Sequence, residues 1–411
     1  MARAPITLPV AGALALAFAV PAGAEEHTTL GPGAWSYFGD PRSVHVSGTT
    51  YTGAITPKGH VVVYATRGVH RVDRVVLRRR LGPDDHNNPS LHLRPDGRLQ
   101  VFYSPHSGRY LPRSRNSQMH YRIERRAGTL RFGPERSLRT NTPGANGYTY
   151  PNPLQAGART WLFWRGGNWF PSFSTSRDGL RWSRARTLVS GPPEQRPYAK
   201  YVARGDTIHA AFSHGHVRSW ENSLYYLAIR GNKVRGADGR LLGRLRDLPL
   251  DMDEADPVYG FVPDGGRAWP HDVAVGRDGL PVIVYTLRRG DTGWGSDTFY
   301  YARFNGHGWI SRPIVWAGRK SPTYTSGGAT LDHRDPNVVY LSRKDGDEQV
   351  VEIWRTGDDG ETWTHRRIAA ETGGRFAMRP VSPRGLAGRR EVLWMAGSAK
   401  SYTDYRTGLR L

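Results

Sequence analysis

No cysteine occurs among the 411 residues. That absence excludes a disulfide framework, a thiolate zinc finger, an iron–sulfur cluster and a cysteine nucleophile. Acidic residues are scarce beside basic ones: 36 Asp plus Glu against 58 Lys plus Arg leave a formal charge of +22. A field of that sign attracts polyanions, namely nucleic acid, an anionic lipid surface or an acidic polysaccharide. The arginines are dispersed along the chain rather than gathered into basic tails. Long apolar runs are also missing, with one exception near the start. Residues 6–20 are almost wholly apolar, behind Arg3 and ahead of the small residues Ala22, Gly23 and Ala24. This pattern predicts a secretory signal peptide over 1–24, too short and wrongly flanked for a spanning helix. A secreted protein, extracellular or periplasmic, with no membrane insertion is therefore expected, and its mature part is 25–411. Export and the lack of a combined stacking-and-basic module weigh against nucleic acid as partner. They favour an extracellular acidic glycan.

Amphipathic helices of four turns are absent as well. What is present is a succession of short runs rich in β-branched and aromatic residues, at 60–65, 99–103, 160–164, 281–286, 338–341 and 391–395. Gly, Pro, Asp and Asn punctuate them. Turn sequences such as Asp96-Gly97, Asp278-Gly279 and Asp359-Gly360 sit between the runs;. A weak internal repeat adds a fold: Ser176, Asp178, Gly179 and Trp182 share a spacing pattern with Thr356, Asp358, Gly360 and Trp363. These are Asp-box turns, in which the Asp and hydroxyl side chains tie the turn backbone and the Trp fills space between neighbouring sheets. They predict an all-β chain. Four-stranded blades of roughly 50 residues each make it a single seven-bladed β-propeller over 25–411. Radial closure explains how one domain reaches this length without a linker.

The chemistry-bearing residues cluster in the first half. Asp84, Asp85, His86, Asn87 and Asn88 make an unusually polar entry to a strand, and His106 follows the next strand, 20 residues after His86. A hairpin brings such a pair to one rim. Then come Tyr148 and Tyr150 before Pro151-Asn152-Pro153, and Arg165-Gly166-Gly167 directly after a Trp-Leu-Phe-Trp strand. Tyr198 and Lys200 follow, and finally His214 and His216. If 214–216 continues a strand, the two histidines face one way and form the best metal candidate, a structural Zn or Ca site. Asp84 and Asp85 serve better as turn residues or as contacts orienting His86 than as cation ligands.

Taken in this order, these elements resemble the BNR-repeat seven-bladed propellers that include ulvan lyases and rhamnose–glucuronate lyases. The resemblance runs from about Trp35 to the C-terminus. It implies β-elimination at a uronic acid, with a glucuronate-containing polymer such as ulvan as substrate, or a rhamnose–glucuronate linkage in a plant gum. It implies that His86 and His106 are the paired active-site histidines, that Tyr150 is the catalytic tyrosine with Tyr148 as competitor, and that Arg165 holds the uronate carboxylate. Tyr198, Lys200 and Asn87 then line the groove. Some such lyases carry zinc through a cysteine, which this chain does not have.

Elementary chemistry agrees with these roles. The C5 proton of a uronate is barely acidic while its carboxylate keeps its charge, so a bidentate arginine is needed to stabilise the developing enolate. Either His86 is the base and Tyr150 the acid, or Tyr150 serves both steps while the two histidines polarise the carboxylate. No redox cofactor is required, and a monomer is expected. Two other readings remain: a sialidase-like glycoside hydrolase, for which Arg42 would start an arginine triad, and a propeller that binds acidic glycans without catalysis.

Overall fold

The computed structural model describes residues 27–106, 118–140, 142–144, 147–218, 221–263, 265–290, 296–319, 326–386 and 391–411. The export signal expected over 1–24 lies outside these residues. The described chain is all β, built from seven blade sheets around one axis and a small parallel pair, Val189–Ser190 with Leu250–Asp251, beside them. Each blade is an antiparallel meander. Blade 1 comprises Ser43–Val46, Thr49–Ile55, Val61–Arg67 and His70–Arg78. Blade 2 comprises Ser90–Leu93, Leu99–Tyr103, Gln118–Ile123 and Arg136–Arg139, and blade 3 Thr149–Ala156, Arg159–Arg165, Pro171–Ser176 and Arg186–Thr187. Blade 4 starts with Ala199–Arg204 and Thr207–Ser213 and is enlarged to six strands. Blade 5 runs from Arg267–Val275 to Trp309–Arg319, and blade 6 from Ala329–Leu331 to Thr364–Glu371.

Closure comes from blade 7. It takes Phe376–Val381, Leu393–Ser401 and Asp404–Arg410 from the C-terminus and its outer strand, Thr29–Pro32, from the N-terminus. The first strand of each blade lies against the first strands of its neighbours, and a parallel bridge from Val44 to Arg384 joins blade 1 to blade 7. Radial repetition leaves only short, protected strand edges at the inner and outer rims of the blades.

The cores lie between blades. One cluster packs Trp35, Tyr64, Tyr103, Val101 and Met395 from blades 7, 1 and 2. The Asp boxes behave as expected. Asp178 Oδ1 accepts the Leu180 and Arg181 amides at 2.8 Å each, and Gly179 donates to Ser176 Oγ at 2.8 Å. In the second box, Asp358 Oδ1 accepts the Thr362 amide at 2.9 Å. Trp182 of blade 3 reaches Phe102 of blade 2 with ring centroids 5.7 Å apart, and Trp363 of blade 6 meets Tyr301 of blade 5 at 5.4 Å. The indoles thus fill the wedge that opens between radially splayed sheets.

Candidate active site

The connections between blades and the loops joining second to third strands carry the candidate residues to one end of the axis. Asp84 caps a short 3-10 turn, Asp85–Asn87, in the connection from blade 1 to blade 2. His106 follows the second strand of blade 2, and Tyr150 lies on the first strand of blade 3. Arg165 ends the second strand of blade 3, and Trp169 stands in the turn after it. Tyr198 and His216 flank the first two strands of blade 4.

The two histidines meet as the hairpin argument predicts. Their rings stack in parallel, with centroids 4.1 Å apart and planes 2° from coplanar orientation. One carboxylate holds both: Asp84 Oδ1 is 2.7 Å from His86 Nδ1, and Oδ2 is 2.8 Å from His106 Nδ1. Asp85 Oδ1 lies a further 2.8 Å from His86 Nδ1. Asp85 is fully buried and is itself gripped by Arg379 of blade 7 at 2.7 Å. About a fifth of each histidine side chain, 19% and 20%, stays exposed, so both remain reachable.

These contacts split the pair electrostatically. Burial opposes a charge on His86, but the Asp85 and Asp84 carboxylates overrule it and push its pKa up to about 10;. His106 goes the other way: burial and the charged His86 beside it lower its pKa despite Asp84. Asp84 sits well below the ordinary carboxylate range, because hydrogen bonds from His106 and His86 outweigh its burial. An ionised carboxylate only accepts. Neutral His106 therefore carries its proton on Nδ1, toward Asp84, and offers the Nε2 lone pair.

Arg165 is 6% exposed, and its guanidinium lies 4.0 Å from the Tyr198 ring centroid, 4.5 Å from Trp169 and 5.6 Å from Tyr150. Its Nε has no hydrogen-bond partner, and no carboxylate among the described residues pairs with it. A buried cation held only by aromatic faces is expensive, and it is chemically suited to a planar anion. Its approach depends on Gly147, at φ +120°, where a Cβ would collide with the Gly166 carbonyl. Tyr150 is 4% exposed and adopts φ +61° at a bulge between Thr149 and Asn152. Trp169 and Arg379 also hold positive φ, at 66° and 53°. Such conformations cost about 1–3 kcal/mol each and persist where the surroundings impose them. Burial and the neighbouring Tyr198 raise the Tyr150 pKa well above its usual value, though Arg165 opposes this. Tyr150 is thus a proton carrier at neutral pH.

Several expected roles change. Asn87, expected to bind substrate, is buried; its Oδ1 accepts the His106 amide at 2.7 Å and its amide donates to Gly82 O at 3.1 Å. It positions His106. Lys200, also expected in the groove, is 2% exposed, with Nζ 2.8 Å from Asp40 Oδ2 and bonded to the Tyr37 carbonyl. Its ammonium neutralises Asp40 near the axis. Tyr148 packs with Trp164 and Phe102 between blades 2 and 3, which leaves the cleft position to Tyr150. His214 and His216 do not continue a strand, which ends at Ser213. His214 Nε2 contacts Asp253 at 2.8 Å, whereas His216 turns toward Tyr198 and Trp269, with centroids 5.6 and 4.9 Å away. Burial and neighbouring arginines lower the His216 pKa to about 3. Its Nδ1 accepts the Arg218 amide at 3.1 Å, so Nε2 is a donor beside Arg165. Among the described residues, Asp84, His86 and His106 are the three whose ligand atoms lie within 4.8 Å of one another, close enough to share a cation. The direct bonds from Nδ1 to the carboxylate occupy those atoms as a hydrogen-bonded triad.

A family model for BNR repeat-containing proteins matches residues 49–316. The chain belongs to this BNR-repeat family. The BNR-repeat propeller is similar to the solved structure of an ulvan lyase of polysaccharide lyase family 25, at 15% identity and TM-score 0.69 over 93% of each chain. The same enzyme type bound to -[GlcA(1-4)Rha3S]- aligns at 16% identity and TM-score 0.68, again over 93% of each chain. An alpha-L-arabinanase from Cellvibrio cellulosa aligns at 12% identity and TM-score 0.39, over 68% of this chain and 95% of the other. At these identities the likeness of the BNR-repeat propeller to its neighbours is one of fold. No curated protein sequence matches it.

Proposed function

We propose that this protein is a secreted polysaccharide lyase that cleaves a uronate-containing acidic polysaccharide, with an ulvan-like glucuronate–rhamnose polymer as the leading substrate. The observation that carries this reading is the buried Arg165, uncompensated by any carboxylate among the described residues, beside a protonated Tyr150 and a neutral His106. The uronate carboxylate docks on Arg165, with the His86 imidazolium and His216 Nε2–H as further donors. His106 Nε2 takes the C5 proton. Electron density moves into the carboxylate, where Arg165 stabilises it. The C4–O4 bond breaks, C4=C5 forms, and Tyr150 protonates the departing O4. No redox cofactor enters that balance. Sequence reading favours His86 as base; the raised His86 and lowered His106 pKa values support exchanging those two roles.

The sialidase-like reading loses support from Arg42, which is 4% exposed and ion-paired to Asp40 at 2.9 Å. The experiment is ultraviolet absorbance of the unsaturated uronate on a panel of acidic glycans, with His106→Ala as control. A rise abolished by that substitution supports elimination. New reducing ends without the absorbance mean hydrolysis, and salt-sensitive binding with neither means a lectin.

The pH profile has a definite shape. His106 must be neutral, so kcat/KM rises through an acid limb below about 6.5, the ordinary histidine value. His86 must be charged, so activity falls again at about 10. Asp84→Asn removes one of the two carboxylates that favour the charged His86, so the alkaline limb moves to lower pH while Asp85 keeps part of the shift. An alkaline limb unmoved by Asp84→Asn contradicts the assignment.

A further inference from the structure

Tyr402 belongs to none of the roles above. It is 43% exposed, one of the most exposed aromatic side chains among the described residues. It occupies the tight turn between Leu393–Ser401 and Asp404–Arg410 of blade 7, on the far side of the ring closure from Arg165. Two features fix it in place. Its carbonyl accepts the Asp85 amide at 2.9 Å, which ties this hairpin to the turn that carries His86. Ser401 Oγ accepts the Thr403 and Asp404 amides at 3.2 and 3.1 Å, which stiffens the turn itself. The ring stands nearly perpendicular to the stacked histidines, 5.0 Å from His86 at 81° and 6.2 Å from His106 at 80°. An exposed aromatic held rigidly beside a reactive pair presents apolar surface at low ordering cost.

We infer that Tyr402 is a substrate-binding platform for the sugar unit next to the cleaved linkage. It would stack on the apolar face of a neutral pyranose while Arg165, across the histidine pair, takes the uronate carboxylate. This inference rests on the lyase reading for the position of that sugar. It sets the direction of the glycan, from blade 7 across the histidines toward blades 3 and 4.

The test uses Tyr402→Ala and Tyr402→Phe in the full chain, assayed on a sulfated glucuronate–rhamnose polymer. The anchoring contact to Asp85 is made by the backbone, so both variants keep it, and an unchanged melting temperature checks this. Tyr402→Ala is expected to raise KM by about tenfold, with the loss on KM rather than kcat. Tyr402→Phe restores KM, since the ring and not the hydroxyl makes the contact, and neither variant moves the pH profile. An unchanged KM in Tyr402→Ala, a Phe variant as defective as Ala, or a shifted pH profile overturns the inference. A wild-type protein that eliminates nothing, yet retards on the polymer in affinity electrophoresis and loses that retardation in Tyr402→Ala, sinks the lyase reading and leaves the platform standing.

Discussion

Replacing Arg165 with Met is expected to lower kcat/KM on a uronate polymer by about a thousandfold, while the melting temperature holds or rises. The activity loss follows from removing the cation that stabilises the charge developing on the substrate carboxylate, an electrostatic contribution commonly worth about 10²–10³. The stability gain follows from the same geometry. Arg165 is 6% exposed, with an Nε that has no partner, with no carboxylate paired to it among the described residues, and with the Tyr198, Trp169 and Tyr150 rings 4.0, 4.5 and 5.6 Å from its guanidinium. Exchanging a buried, uncompensated cation for an apolar chain of similar length removes a desolvation cost. Arg165→Lys is expected to recover little activity, because an ammonium cannot grip a carboxylate in two places. Steady-state kinetics and thermal unfolding of the same preparations check both halves. A fall in stability matching the fall in activity would mean that Arg165 serves packing rather than substrate.

The second large effect falls on Tyr150. Tyr150→Phe keeps the ring that packs on Phe38, with centroids 5.4 Å apart, and removes only the hydroxyl. Loss of a general acid typically costs about 10²–10⁴ in rate. The fold should survive, because the strained backbone at Tyr150 is imposed by the bulge and by Asn152 Nδ2, which donates to its carbonyl at 2.7 Å. The double variant with His106→Ala discriminates between mechanisms. If the two residues act in one concerted step, the second substitution adds little to the first. If each loss multiplies the other fully, they act in separate steps. The predicted loss is read from initial rates by ultraviolet absorbance. A Tyr150→Phe enzyme within tenfold of wild type would move the acid role elsewhere.

The histidine pair was legible because its signal is local. A polar turn, a strand and a second histidine 20 residues on require nothing beyond hairpin geometry. The same applies to Arg165, a charge ending an apolar strand, and to the two Asp boxes, whose turns close within their own residues. Lys200 was misplaced for the opposite reason: it looks like a polar side chain near a cleft, but its partner Asp40 lies 160 positions away. Asn87 is as near in sequence as the histidines, but its side chain turns to the backbone amide of His106 rather than to the cleft, which composition does not signal. His214 and His216 depended on a strand continuing past Ser213, and a backbone turn redirected them. Tyr402 and Arg379 carried no signal at all, because they reach His86 and Asp85 only through ring closure.

By itself, then, the sequence determined the all-β class, the blade repeat and the types of residue available for chemistry. Alternation, turn composition and Asp-box spacing are short-range properties, encoded within about ten residues of where they act. The tertiary structure decided which charges face one another. The opposite pKa shifts of His86 and His106 arise because Asp85 touches one ring and not the other, with Arg379 of blade 7 holding Asp85 in place. Proton affinity depends on burial and on carboxylates within a few ångströms, and those distances exist only once seven blades have closed around a common axis.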